Sequence, residues 1–282
     1  MKMKNTWDTR IGRAAQLSST YPFAAEALRF YQCVAAFQKS FSSEIQRSMT
    51  GAEKTAAGRP LRDELDLFLL LPKFSEFLAL IKVISPQPLA ILASELESNG
   101  PTEWQHRIEG FWLQDSPSIV GRGISSYDEA DTTGEDNVLA WIFLQPYAEY
   151  LADHRETELI NSTPSTCPLC GSKPIVGVLR QEGDGAKRSL ICMLCAHEWA
   201  FRRIYCPACG EEREPHMAFY SAPEIPHIRV DVCETCKTYT KSVDLTKDGL
   251  AIPVVDELAA LPLDLWVREK GYQRLQISPV GI

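Results

Sequence analysis

The sequence predicts an α+β chain: an N-terminal all-α domain, then two tandem four-cysteine ribbon modules, then a C-terminal helical tail. Three observations predict it. Eight of the nine cysteines form four C-x-x-C pairs, Cys167/Cys170, Cys192/Cys195, Cys206/Cys209 and Cys233/Cys236. Before them, apolar residues recur at helical spacing. Among them, short β-rich runs alternate with turns that contain glycine. The expected boundaries are 1–160 for the helical domain, 161–203 and 204–245 for the two ribbons, and 246–282 for the tail.

In the helical part, Phe30, Val34, Phe37, Phe41 and Ile45 share one face of a long helix that Pro22 begins. Cys33 lies inside it with no cysteine neighbour and reads as a small buried hydrophobe. After a loose segment at 51–58, residues 65–71 and 74–84 read as two buried helical stretches kinked or divided by Pro72. Pro86 and Pro88 introduce the next helix, and Pro101 starts another that carries Trp104, Ile108, Phe111 and Trp112 towards the core. Residues 115–136 are polar and read as a connector. A helix over 138–152 holds Leu139, Ile142, Phe143 and Tyr147 along one side, with Pro146 inside it, and 161–165 is the linker into the ribbons.

The cysteine pairs have an order. Cys167-Pro168-Leu169-Cys170-Gly171 and Cys206-Pro207-Ala208-Cys209-Gly210 are one C-P-x-C-G phrase written twice, 39 residues apart. Each is followed by a plainer pair. Proline presets the turn, and glycine permits the positive φ that lets amides face the thiolates. Two such turns supply the four soft ligands that zinc or iron takes tetrahedrally, so four pairs imply two ions, each in its own rubredoxin-like or zinc-ribbon site. Spacing alone does not fix connectivity, and an interleaved pairing of Cys167/Cys170 with Cys206/Cys209 stays open. Within the modules, 174–180 and 188–192 read as the arms of one hairpin turning at Gly183-Asp184-Gly185, and 217–220 with 227–231 as the second. Of the five histidines, His197 stands two residues after Cys195; it could support or replace a ligand, but reads as a surface or packing residue, since each site already has four cysteines. In the tail, Leu258, Leu261 and Leu265 keep helical spacing, Pro262 starts or bends the helix, and the segment is expected to fold back on the rest.

A net charge of −8 argues against a nucleic-acid surface for the whole chain. Between 167 and 241 there are ten basic and nine acidic side chains, and two ion-loaded four-thiolate sites bring that module to about −3, the wrong sign for tracking phosphates. The N-terminus carries charge without a following apolar run, so no secretory signal is read, and Pro72, Lys73, Ser75 and Glu76 break the most apolar stretch. The expected setting is the cytoplasm, with no membrane span, where thiolates survive as ligands rather than as disulfides.

The chain resembles the bacterial formate dehydrogenase accessory protein family, the FdhE type. The residues that carry this are Leu144-Gln145-Pro146-Tyr147-Ala148-Glu149, Cys167 to Ser172, Glu198-Trp199, Cys206 to Gly210, Cys233/Cys236 followed by Tyr239, Val255-Asp256-Glu257-Leu258-Ala259 with Leu263-Asp264, and Gly271-Tyr272. The resemblance implies a non-enzymatic, chaperone-like assembly factor that contacts the catalytic subunit of respiratory formate dehydrogenase before export and carries iron in rubredoxin-like sites. It carries over the eight cysteines as metal ligands, assigns no partner-binding residue, and leaves a homodimer open. Two other function classes compete: an iron-based redox or oxygen-sensing protein acting during maturation, and a zinc-ribbon nucleic-acid adaptor, which the module charge opposes.

Overall fold

Thr6 opens the first helix with a reciprocal cap: its hydroxyl accepts from the Thr9 amide while the Thr9 hydroxyl accepts from the Thr6 amide. This computed structural model describes residues 6–49, 60–113, 137–155, 163–183 and 185–276. The helices are α1 (Trp7–Thr20), α2 (Ala25–Ser48), α3 (Leu67–Ile84), α4 (Gln87–Asn99), α5 (Pro101–Leu113), α6 (Val138–Asp153), α7 (Pro253–Ala259) and α8 (Leu261–Glu269). The fold is α+β, helices first, then a sheet carrying the cysteines, then α7 and α8.

Helix α6 is the hub. Twelve of its sixteen residues are buried, as expected of a helix that is apolar on every side. Phe143 sits among Phe41 of α2 and Phe74 and Phe77 of α3, with ring centroids 5.1, 4.9 and 5.6 Å away. Pro146 lacks the amide that would bond the Ile142 carbonyl one turn back. Gln38 of α2 repairs the loss, donating from Nε2 to Ile142 O at 2.7 Å.

Several expectations change. Pro72 does not divide a helix, because α3 is continuous through it. The residue whose carbonyl Pro72 leaves free is Phe68, which is exposed, so water can take the place of the missing donor. Cys33 is exposed rather than buried, since α2 buries the face through Phe30, Val34 and Phe41 and the adjoining face through Tyr31 and Ala35, and Cys33 lies on the side turned away from both. Leu265 is exposed too; Leu263 and Val267 take the core positions because Pro262 restarts the helix and shifts its face. Helix α1 carried no sequence expectation. The stretches read as a loose segment at 51–58 and a connector at 115–136, together with Asn161, Ser162 and Asp184, lie outside the described residues.

The strands are β1 (Pro174–Glu182), β2 (Gly185–Cys192), β3 (Glu198–Phe201), β4 (Met217–Ser221), β5 (Ile228–Cys233), β6 (Thr238–Asp244) and β7 (Gln273–Arg274). Both hairpins stand where expected, and each gains a third strand, β3 or β6, that the sequence reading passed over. The order β3-β2-β1-β6-β5-β4 places two antiparallel meanders side by side in one sheet, with β7 beside β6. Their seam is a short parallel pairing: Gly177 with Ser242, Val178 with Val243, Leu179 with Asp244.

At this seam glycine is required by space. A Cβ on Gly177 would collide with the Ser242 hydroxyl and lie 3.3 Å from its Cβ. Ser242 cannot swing away freely, being fully buried and bonded to Asp231 Oδ2 at 2.5 Å. Gly177→Ala is expected to destabilise the fold by about 1–3 kcal/mol, read as a lower urea midpoint with an unchanged slope.

Candidate metal centre

The two C-P-x-C-G turns close in the same way. Gly171 N–H donates to Cys167 O at 2.9 Å and Gly210 N–H to Cys206 O at 3.0 Å, while the first cysteine's amide reaches forward, Cys167 to Ser172 O and Cys206 to Glu211 O, both at 2.8 Å. Gly171 and Gly210 have φ of 73° and 79°, the left-handed geometry expected of them. The plainer pairs need it as well. Ala196 and Lys237, the residues following Cys195 and Cys236, are the two non-glycine residues with positive φ among those described, at 52° and 55°. All four turns therefore place a left-handed residue directly after the second cysteine, and aligning that position would have found it.

The sulfurs converge as two groups, Cys167, Cys170, Cys192 and Cys195, then Cys206, Cys209, Cys233 and Cys236, each with all ligand atoms within 4.8 Å of one another. Neighbouring sulfurs lie 3.3–3.7 Å apart in the first group and 3.7 Å apart in the second. A disulfide needs about 2.05 Å. A tetrahedron with metal–sulfur bonds of roughly 2.3 Å has edges of roughly 3.8 Å, so the donor sets fit one ion each. The pairing is sequential; the interleaved alternative does not occur. His197 joins neither group: its ring lies parallel to Trp199, and its carbonyl accepts from Cys192 N–H at 2.9 Å.

The surroundings of the two groups differ. All four cysteines of the first are buried, and the helical domain fastens their turns. Arg62, on a single turn before α3, donates from Nε to Cys170 O at 2.7 Å and from Nη2 to Ser172 Oγ at 2.8 Å, and its Nη1 holds Phe111 O and Trp112 O. Leu61 N–H meets Leu169 O at 3.2 Å. Trp141 and Gln145 of α6 both donate to Met193 O, between Cys192 and Cys195, at 2.9 Å. No local pattern announces these partners, because each bridges more than forty positions. In the second group Cys206 and Cys233 are buried, Cys236 is half-buried and Cys209 is exposed. Its turns are held within the module through Glu211, which accepts from Thr235 Oγ1 at 2.7 Å, from Arg213, and from the His216 ring, and from the tail, where Gln273 N–H donates to Lys237 O at 2.7 Å and the Tyr272 hydroxyl to Glu234. Buried Arg188 adds positive charge nearby: burial pulls its guanidinium below the usual value, while Asp231 and Cys206 oppose that.

A third convergence, His227, Asp248 and Asp256, already holds a cation from the chain. Arg13 of α1 reaches Asp248 Oδ2 at 2.6 Å and Asp256 Oδ1 at 2.5 Å, which ties the first helix to the tail.

With this geometry established, two family models match: "FdhE, central domain" over residues 166–203 and "FdhE, C-terminal domain" over 204–280. The chain belongs to the FdhE family. Among FdhE-family relatives, it is 27% identical to the "Protein FdhE homolog" of Aquifex aeolicus, over 96% of this chain and 94% of that one. It is 26% identical to "Protein FdhE" of Escherichia coli, over 99% and 88%. The crystal structure of the FdhE protein from Pseudomonas aeruginosa superposes with a TM-score of 0.68 at 22% identity, over 99% of this chain and 97% of that one, which shows a shared fold.

Thiol chemistry sets how this FdhE-family chain would take up an ion. Hydrogen bonds from Cys167, then Cys192 and Cys195, hold the Cys170 thiol well below its usual value, and a bond from Cys206 brings Cys236 to about 4. Their neighbours shift the opposite way: burial first, then bonding to Cys167 and Cys170, pushes the Cys192 thiol up, bonding to Cys167 does so for Cys195, bonding to Cys236 for Cys206, and desolvation takes Cys209 to about 11. Four thiolates cannot coexist without a cation, so an arriving ion must expel the protons of the raised thiols. Zinc added to metal-free protein in weak buffer is expected to acidify it, and affinity is expected to fall as pH falls, by roughly 100-fold per unit if two protons leave per ion; calorimetry in buffers of different ionisation enthalpy counts them. A second expectation concerns the backbone. Ala196→Gly is expected to stabilise the loaded protein by about 0.5–1 kcal/mol by removing a left-handed Cβ, measured as a higher thermal midpoint.

Proposed function

We propose that the chain is a non-enzymatic accessory factor for formate dehydrogenase, a platform held in shape by two ions that docks the catalytic subunit during maturation, in the cytoplasm. Cys167, Cys170, Cys192 and Cys195 hold one ion, and Cys206, Cys209, Cys233 and Cys236 the other. Zinc and iron both accept four thiolates. The observation that carries the reading is the completeness of the donor sets. Four sulfurs fill a tetrahedron, leaving no open position of the kind a catalytic metal keeps for water or substrate. The first site is also stapled to the helical domain by Arg62, Trp141 and Gln145, so ion binding there would fix the relation between helices and sheet rather than act on a substrate. Family membership supports the formate dehydrogenase connection, and among the described residues no helix is long and apolar enough to cross a membrane.

The experiment is anaerobic co-purification of the tagged full chain with a formate dehydrogenase catalytic subunit, paired with enzyme activity in a strain lacking the chain. Co-elution and loss of activity are expected. No interaction together with normal activity would overturn the proposal.

A further inference from the structure

The two sites repeat one phrase of sequence but do not share one environment, and the difference decides how each can release its ion. A four-thiolate ion exchanges ligands when an incoming donor bonds to it as one cysteine sulfur leaves with its electron pair and takes a proton from water. The ion keeps its oxidation state throughout. The step therefore needs a sulfur that the incoming donor can approach. In the first group Cys167, Cys170, Cys192 and Cys195 are 2%, 4%, 1% and 3% exposed. Reaching them means parting the contacts made by Arg62, Leu61, Trp141 and Gln145, which join the helical domain to the sheet, so access requires a sub-global opening. In the second group Cys209 is exposed and Cys236 half-buried; the bracing is by Glu211, Thr235 and His216 within residues 206–236 and by Tyr272 and Gln273 of the tail on the Cys233/Cys236 turn, so Cys209 is reached without breaking a bridge to the first helices. An incoming donor meets these sulfurs without parting helices from sheet.

We propose that the second four-cysteine site is an exchange site, whose ion passes to small soft-donor competitors such as thiols and chelators and whose freed Cys209 and Cys236 are then open to soft electrophiles, while the first site is locked and structural. This rests on the reading of the eight cysteines as metal ligands. It gives the two ions different tasks. The inner ion joins helices to sheet. The outer ion reports the thiol and metal status of its surroundings and can be withdrawn without dismantling the body of the protein. Cys209 follows directly on Pro207-Ala208, so a partner that covered this turn would close the route to the ion.

The test uses full-length protein loaded with zinc to saturation, its metal content measured before the chase. Release to an excess of a metallochromic pyridylazo dye is followed in the presence of iodoacetamide, which alkylates a freed thiolate as sulfur displaces iodide. Peptide mass mapping at successive times shows which cysteines have reacted. The expected result is two bound ions, one released at least tenfold faster than the other, with Cys209 and Cys236 alkylated during the fast phase and Cys167, Cys170, Cys192 and Cys195 unmodified until the slow one. Arg62→Ala should quicken the slow phase several-fold and leave the fast phase as it was. Two ions leaving with one rate constant, or first-group cysteines labelled first, overturn the exchange proposal and leave the metal assignment standing. Fewer than two ions bound before the chase overturns the metal assignment, and the exchange proposal with it.

Discussion

Bringing four sulfurs within 4.8 Å of one another, twice, is the constraint on which the other features of this structure depend. A three-stranded meander has too little core to hold such a geometry alone, since small metal modules draw much of their folding free energy from the ion. This chain gives each meander a neighbour. The two share a sheet through the parallel seam at Gly177 and Ser242, and α6 lies where Trp141 and Gln145 can grip the turn of the inner site. The apolar character of α6 on all sides follows from that position, packed among helices on one side and reaching a cysteine turn on the other.

The tail is fixed by buried charge rather than by apolar contact alone. Lys241 of β6 lies between Glu257 Oε2 at 2.7 Å and Asp264 Oδ2 at 2.5 Å, Arg274 of β7 meets Glu257 at 2.6 Å, and the Tyr239 hydroxyl donates to Asp264 at 2.8 Å. Lys241, Glu257 and Asp264 are fully buried. Burial by itself would raise the Glu257 carboxyl, but Arg274 and Lys241 outweigh it and hold the group below its usual value. Two cations and two anions leave the cluster neutral, the condition under which buried charge is tolerated. Such clusters contribute less to net stability than to uniqueness: any other seating of α7 and α8 would strand a charge in the interior. Together with Arg13 on Asp256, they clamp the chain's first and last helices around the sheet.

The sequence was most informative where chemistry demands a particular residue. Cysteine spacing located both sulfur groups, and the glycine after each C-P-x-C located two of the four left-handed turns. Alanine and lysine hid the other two, because their positive φ is imposed by the turn rather than announced by the residue type. Periodicity found α2 and the long apolar segment of α3 but left open whether Pro72 kinks or divides it; division does not occur, since a proline inside a helix is tolerated where the freed carbonyl faces water. Cys33 was misplaced by the general tendency of unpaired cysteines to be buried, and Leu265 because a spacing of three or four does not say which of two adjacent faces meets the core. The resemblance segment around Gln145 had no local explanation; its reason lies 48 positions away, at the Met193 carbonyl.

Two copies of one sequence phrase end in unlike surroundings because the sheet has two ends and the helical domain covers one of them. Position in the β3-β2-β1-β6-β5-β4 order decides this before any side chain is considered. The first meander lies under α6 and the turn bearing Arg62, so its cysteines are enclosed by backbone carbonyls already committed to helical-domain donors. The second meander ends in β4, an edge strand whose Phe219 is 60% exposed, with the Arg229 guanidinium 4.8 Å from its ring. An edge of that composition would pair with stray strands if left flat and bare. Residues at that end have to keep the sulfur group reachable and the edge unpaired at once. Arg229, held by Asp231 at 2.9 Å, covers Phe219, and the charged pairs around Glu211 shape the cysteine turns while Cys209 stays exposed.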